Sequence, residues 1–187
     1  MKRSRTITWD DPAATAREGL ALTGLEFLRG LADGRLPPPP IASTLGMEAA
    51  EFDAGRAVFV CEPAEFHYNP IGVVHGGLAA TLLDSAMSCS VHTTLAAGER
   101  YTTLELKVNF VRAITAATGR IRAEGKVVHR GGTIATARGT PGGRAGRKAS
   151  RTRRHHLLDH APRGAGGRSS QATLRSGSGF PQVRWPQ

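Results

Sequence analysis

Cysteine is scarce, with Cys61 and Cys89 the only two in 187 residues. A chain of this size builds a core without covalent staples, so two lone cysteines argue against a disulfide framework and for a reducing compartment, the cytoplasm. Long apolar runs are missing too. No stretch of eighteen apolar residues occurs, which excludes a helical membrane span on length and leads us to expect a soluble protein. The opening Met1-Lys2-Arg3-Ser4-Arg5 is not followed by the apolar core of a secretory signal. Metal-ligand spacing is lacking among the histidines of the body as well. His67, His75, His92 and His129 have no CxxC or HxxxH companions, and His155-His156 stands apart near the C-terminus, so no metal is expected.

What is abundant is positive charge, and it is unevenly placed. Residues 139–187 hold ten Lys and Arg against Asp159 alone, whereas residues 1–138 hold fifteen against fourteen acids, so the formal +10 divides into +9 and +1. The body is therefore close to neutral. The tail has few large apolar residues, Leu157, Leu158, Leu174, Phe180, Val183 and Trp185, which is the composition of disorder and supplies no core. An arginine-rich arm that binds nucleic acid or another acidic surface is the alternative, but it contains no recognisable module and almost no interleaved aromatics.

The length suits one domain. We expect a flexible arm over 1–17, a domain over 18–138 and a basic tail over 139–187. Leu22, Leu25, Leu28 and Leu31 recur at three-residue spacing, predicting an amphipathic helix over 18–34 that ends at Gly34 and a stiff Pro37 to Pro40 linker. Arg56 to Cys61 reads as a strand and Pro63 to Gly72 as loop. From His75 to about Leu95 apolar or small residues surround the axis, as in a helix buried on nearly all sides. Leu104, Leu106, Val108 and Phe110 then alternate with polar residues, giving a strand with one dry face, and Ile121, Ala123 and Val127 repeat the pattern. Gly131-Gly132 reads as a hairpin turn leading into a strand from Thr133 to Ala137. The expected class is α+β, an antiparallel sheet wrapped around a central helix.

Asp84 interrupts that apolar helix, where an unpartnered carboxylate is costly to desolvate. It has either a structural partner or a wet edge on the one hand, or a chemical use on the other. His75-Gly76-Gly77 stands at the helix start, where amides lack intrahelical acceptors and the macrodipole favours negative charge, so the pair can polarise a carbonyl there. Glycine pairs also occur in ordinary loops.

The run His67-Tyr68-Asn69-Pro70-Ile71-Gly72-Val73-Val74-His75-Gly76-Gly77, followed by Leu82-Leu83-Asp84-Ser85-Ala86, resembles the signature of PaaI-like thioesterases of the hot-dog fold. Leu25-Glu26-Phe27-Leu28, Thr102 to Phe110 and Val127-Val128-His129 are similar to that family as well, so the resemblance covers roughly residues 20–138. It implies hydrolysis of an acyl-CoA or aroyl-CoA thioester without a cofactor. Gly76 would offer its amide to the thioester carbonyl, and Asp84 would act as nucleophile or as general base for water. Asn69, His75, Gly77 and Ser88 would line the same pocket. Such sites lie between two subunits, implying a homodimer or a dimer of dimers.

Several roles stay open. His75 is a base on chemistry alone but has no visible acidic partner, so it also reads as an orienting donor, and Asn69 shares that ambiguity. Ser88 reaches either a water or its own backbone. Arg112 and Arg130, at predicted strand ends, read as cations for coenzyme A phosphates or as solvated surface residues. A hot-dog protein that binds acyl-CoA without turnover is the alternative function. A hot-dog dehydratase ranks below it because no hydratase-type loop is found.

The resemblance also implies further ordered residues after Thr133 and a last strand ending Thr-Thr-Cys-Leu-Ile. That strand is missing from the chain as written, or an unrelated tail replaces it. Written as CAC CAC CTG CTT GAT CAT, the codons of His155 to His160 give Thr-Thr-Cys-Leu-Ile one base later, and Gly139 to Lys148 shift to similarly family-like residues. The expectation is a frameshift near codons 138–140, with an inactive gene product as its corollary.

Overall fold

The computed structural model describes residues 1–142, and 155–161 as backbone. The helices are α1 (Pro12–Gly19), α2 (Gly24–Ala32), α3 (Pro40–Leu45) and α4 (Gly76–His92). The strands are β1 (Met47–Asp53), β2 (Arg56–Cys61), β3 (Arg100–Leu106), β4 (Ile121–Arg130), β5 (Ile134–Gly142) and β6 (His155–Ala161). They form one sheet in the order β1-β2-β4-β5-β6-β3, with every neighbouring pair antiparallel. The sheet packs around α4, as the sequence pattern predicts. No helix among the described residues is long and apolar enough to cross a membrane.

The side chains that β4 and β5 turn toward α4 are small. Ala123, Gly125, Ala135 and Ala137 line this face with Ala57 of β2, and α4 presses Leu83, Ala86 and Met87 onto them. Gly125 shows how close the approach is: a Cβ there would lie 2.0 Å from the Ala86 carbonyl oxygen. A larger residue would have to push helix and strand apart. The opposite face of the sheet is charged. Arg56 pairs with Glu51, Asp53 and Glu124, while Arg122 and Lys126 also pair with Glu124, and these stems cover the buried Val58 and Val60.

Three expectations need correction. The single helix over 18–34 is two helices, because Thr23 and Glu26 form a reciprocal capping box that starts α2 afresh and leaves Leu22 in the intervening turn. Pro40 is not linker but the first residue of α3, a position where its missing N–H costs nothing. The dry face of Leu104, Leu106, Val108 and Phe110 is broken twice: a β-bulge between Thr103 and Glu105 leaves Leu104 exposed, and β3 ends at Leu106, beyond which Val108 packs at the core edge and Phe110 is exposed.

The ends also differ from their first reading. The segment 1–17 contains α1, capped by Asp11, and reaches α3 through Arg5. β5 runs to Gly142, past the boundary at 138, and the last strand of the sheet is a piece of the tail itself, His155–Ala161, lying between β5 and β3. It occupies the very segment whose shifted reading gives Thr-Thr-Cys-Leu-Ile. Residues 143–154 and 162–187, with the rest of the tail expectations, lie outside the described residues.

Candidate active site

The start of α4 is built by His75. As N-cap it adopts an extended conformation (φ −60°, ψ 133°), and its Nδ1 accepts the Gly77 amide at 2.8 Å. Two consequences follow. Gly77 has its amide committed to His75, and Gly76 is the first helical residue, whose amide no intrahelical carbonyl can reach. With Nδ1 accepting, a neutral His75 carries its proton on Nε2, so in this geometry the ring is a donor rather than a base.

A cavity of about 450 Å³ opens here, lined among others by Asn69, His75, Gly76, Ala79, Phe110 and Arg112. Asn69 is held by its own loop, since its Oδ1 accepts the Ile71 amide at 3.1 Å and its backbone amide donates to the Val73 carbonyl at 2.9 Å. The Phe110 ring packs on Gly76, where an added Cβ would lie 3.3 Å from it. Arg112 brings the cation of the cavity wall. Arg130 does not join it within one chain. It donates to the Thr94 carbonyl and pairs with Glu99 at 2.9 Å, just beyond the other end of a 17-residue helix and therefore about 25 Å along the axis.

Asp84 lies eight residues after Gly76, a rise of about 12 Å. It is half-buried at the β3 side of α4 and accepts a hydrogen bond from Thr103 Oγ1 at 3.1 Å. Nearby, Ser88 is buried with its hydroxyl directed back to the Ser85 carbonyl at 3.4 Å, so its backbone-bonded reading fits the geometry. Tyr101 turns its hydroxyl to Ser88 and Cys89, and burial pushes its ionisation well above the ordinary value. Burial likewise pushes the Cys89 thiol up to about 12, which keeps it protonated and removes it as a nucleophile. Among the described residues no cluster of three metal-ligating side chains occurs.

Sequence reasoning missed Thr103. Strict alternation assigns it to the wet face, opposite Leu104. The bulge breaks the alternation just after Thr103, and Tyr101 and Thr103 face α4.

Comparison with known proteins agrees with this architecture. The family model described as the thioesterase superfamily matches residues 71–140, the stretch that holds Gly76, Asp84, Thr103 and Arg112. The 1,4-dihydroxy-2-naphthoyl-CoA hydrolase of Listeria monocytogenes is 28% identical over 91 residues, 49% of this chain and 72% of that protein. Among solved structures, the phenylacetic acid degradation-related protein of Ralstonia eutropha JMP134 superposes with a TM-score of 0.61 at 26% identity, covering 71% of this chain and 98% of that one. S. sahachiroi AziG gives a TM-score of 0.59 at 25% identity, covering 65% of this chain and 95% of that one. With an antiparallel sheet around a central helix, a family model matching residues 71–140 and relatives of this kind, the chain has the hot-dog architecture and is similar to proteins of the thioesterase superfamily.

Proposed function

We propose that the chain hydrolyses acyl-CoA or aroyl-CoA thioesters in a site shared by two copies of itself. One observation carries this reading. The half-buried carboxylate of Asp84 and the open amide of Gly76 are about 12 Å apart along one helix, too far to serve one thioester together. Two chains placed side by side along β3 would bring the Gly76 of one opposite the Asp84 of the other. β3 is the end strand of the sheet and exposes Leu104, and the exposed Phe110 and Val111 follow it, a combination that folded proteins usually cover. Such a homodimer, alone or as a dimer of dimers, is the assembly we propose.

In the general-base form of the reaction, Asp84 takes a proton from water, and the resulting hydroxide adds to the thioester carbon. Negative charge gathers on the carbonyl oxygen, which rests against the Gly76 amide and the positive end of α4. The carbon–sulfur bond then breaks, the thiolate of coenzyme A leaves, and the proton on Asp84 passes to it. In the nucleophilic form Asp84 attacks directly, and water cleaves the mixed anhydride. Arg112, on the cavity wall, suits the phosphates of coenzyme A. Free Cys61 and Cys89 suit a reducing cytoplasm.

A thioester probe with thiol detection tests the reading. Asp84→Asn and Asp84→Ala should each abolish thiol release. In one turnover in ¹⁸O-water, label that enters the Asp84 carboxyl group and is missing from the acid product marks the nucleophilic form. Gly76→Pro deletes the amide while suiting a first helical position, and it too should be inactive. Mixed dimers of Gly76→Pro and Asp84→Asn should regain activity that neither has alone; no regain would sink the shared site. One observation favours acyl-CoA binding without turnover, namely that the Phe110 ring packs directly on Gly76. Saturable acyl-CoA binding without thiol release would establish that second reading.

A further inference from the structure

The loop that delivers His75 is anchored from the far N-terminus. The Arg5 guanidinium donates to the Ser43 and Thr44 carbonyls at 2.8 and 2.7 Å, at the end of α3, where a helix leaves its last carbonyls without partners. The same guanidinium stacks 4.1 Å over the Phe66 ring. Arg3 pairs with Glu65 at 2.8 Å in the same 3₁₀ turn, Glu65–His67. Arg5 thus clamps two elements together, the end of α3 and this turn.

His67 sits between those two elements and is 7% exposed. All four of its polar atoms are engaged. Its amide donates to the Ala64 carbonyl at 3.0 Å, and Nδ1 accepts the Ala64 amide at 3.0 Å. Nε2 meets the Leu45 carbonyl at 3.0 Å, and the His67 carbonyl accepts the His75 amide at 2.8 Å. With Nδ1 accepting, Nε2 is the donor to Leu45, so the ring is neutral. Burial holds its ionisation below the ordinary value, the Leu45 carbonyl opposes this, and the Arg5 charge adds to it. From His67 the bonds run to His75, and from the His75 ring to Gly77. Between these anchors only Pro70, Ile71 and Gly72 at the tip are exposed, while Val74 is buried and its amide donates to the Ile114 carbonyl at 2.9 Å.

We propose that His67, clamped by Arg5, is the positioning residue of this site: it fixes His75 and so sets the direction in which α4 presents the Gly76 amide. The consequence for rate rests on the hydrolytic reading above; the consequence for order at His75 does not. An amide that stabilises developing charge is effective only when its aim is fixed beforehand, so loosening the loop should lower kcat and leave binding nearly intact. A histidine that merely fills the core would leave His75 indifferent to Arg5.

The test uses the full chain with Arg5→Ala, Arg5→Lys and Phe66→Leu, and with Arg35→Ala as a control that removes an exposed arginine paired with Asp33 elsewhere. Amide hydrogen exchange at His75 and Gly77 should quicken roughly tenfold in Arg5→Ala, with little change in Tm. Its kcat should fall about fivefold to tenfold while KM stays within about twofold. Arg5→Lys should behave like Arg5→Ala, because an ammonium cannot grip two carbonyls and stack on a ring at once. Added guanidinium ion should restore part of the rate to Arg5→Ala alone. Unchanged exchange at His75, or a rate that falls only with the folded fraction, would overturn the proposal. If the unaltered chain releases no thiol, the hydrolytic reading fails separately, and exchange at His75 decides this one by itself.

Discussion

One side of α4 presses Leu83, Ala86 and Met87 onto Ala123, Gly125, Ala135, Ala137 and Gly139, with backbone almost touching backbone at Gly125. The other side turns Asp84, Ser88 and Cys89 toward Tyr101 and Thr103, beside an edge strand whose Leu104 is exposed. The closed side has little room and almost no polar atoms. The open side has hydroxyls, a carboxylate and an adjoining apolar edge that is exposed among the described residues. A single helix thus divides its labour. Folding energy is collected where small residues let the sheet approach, and the proposed chemistry lies where the sheet stands off. Substitutions on the two sides should therefore separate stability from turnover.

The largest effect belongs to the open side. Asp84→Asn keeps shape and loses the proton acceptor, so kcat should fall by about a thousandfold, equivalent to about 4 kcal/mol of barrier, with an unfolding midpoint close to that of the unaltered chain. A stable variant retaining a tenth of the activity would break the division. On the closed side, Gly125→Ala places a Cβ 2.0 Å from the Ala86 carbonyl oxygen. It should cost about 3 kcal/mol in urea unfolding, while the rate per folded molecule changes far less. Gly24→Ala sharpens the same point where α2 meets the end of α4, because its Cβ would lie 1.8 Å from the His92 carbonyl oxygen.

The closed side was legible in the sequence and the open side only partly so. Small and apolar residues around α4 and the alternation in β4 are periodic, and periodicity survives in a one-dimensional reading. Asp84 stood out by contrast with its neighbours, and His75-Gly76 by the chemistry of a helix start. Thr103 was hidden because one bulge reverses the face of everything after it, and no residue type announces a bulge. Arg130 was read as a strand-end cation, and only coordinates show it holding Glu99 and Thr94. The capping box at Thr23 was present as Thr-x-x-Glu, but leucines at three-residue spacing ran straight across it. The reading-frame proposal remains a matter for the nucleotide sequence. A one-base shift at codons 138–140 that does not restore a strand would dismiss it.

Thr103→Val is the next test in order of size. It removes the hydroxyl that donates to Asp84 at 3.1 Å and keeps the β-branched shape that suits a strand. A lost hydrogen bond to a charged group of this kind is worth about 1.5 kcal/mol, so kcat should drop about tenfold with stability unchanged, and Thr103→Ser should recover most of it. If Thr103→Val instead lowers the unfolding midpoint and leaves kcat alone, Thr103 belongs with the closed side and the boundary between the two has been drawn in the wrong place.

Acid should lower stability through two groups that lie off the closed side. His92, at the end of α4 between the Phe27 and Tyr101 rings, is held down to about 4 by burial. Glu124, on the charged outer face, is pushed up by burial, but hydrogen bonds from Arg122, Lys126 and Arg56 outweigh that and hold it at about 2. Both groups bind protons more readily unfolded than folded, so each contributes stability that is present at high pH and lost as pH falls. For His92 the loss runs from about 6.5 down to about 4, and it is worth at most about 3 kcal/mol. For Glu124 the window lies between about 4.5 and about 2, and its three cations are partly exposed to solvent, so its share is smaller. Urea midpoints measured from pH 7 to 3 should fall in two stages. His92→Phe should flatten the first stage and Glu124→Gln the second. A single fall centred near pH 4.5 that survives His92→Phe would assign the acid sensitivity to carboxylates alone and remove the buried histidine from the account.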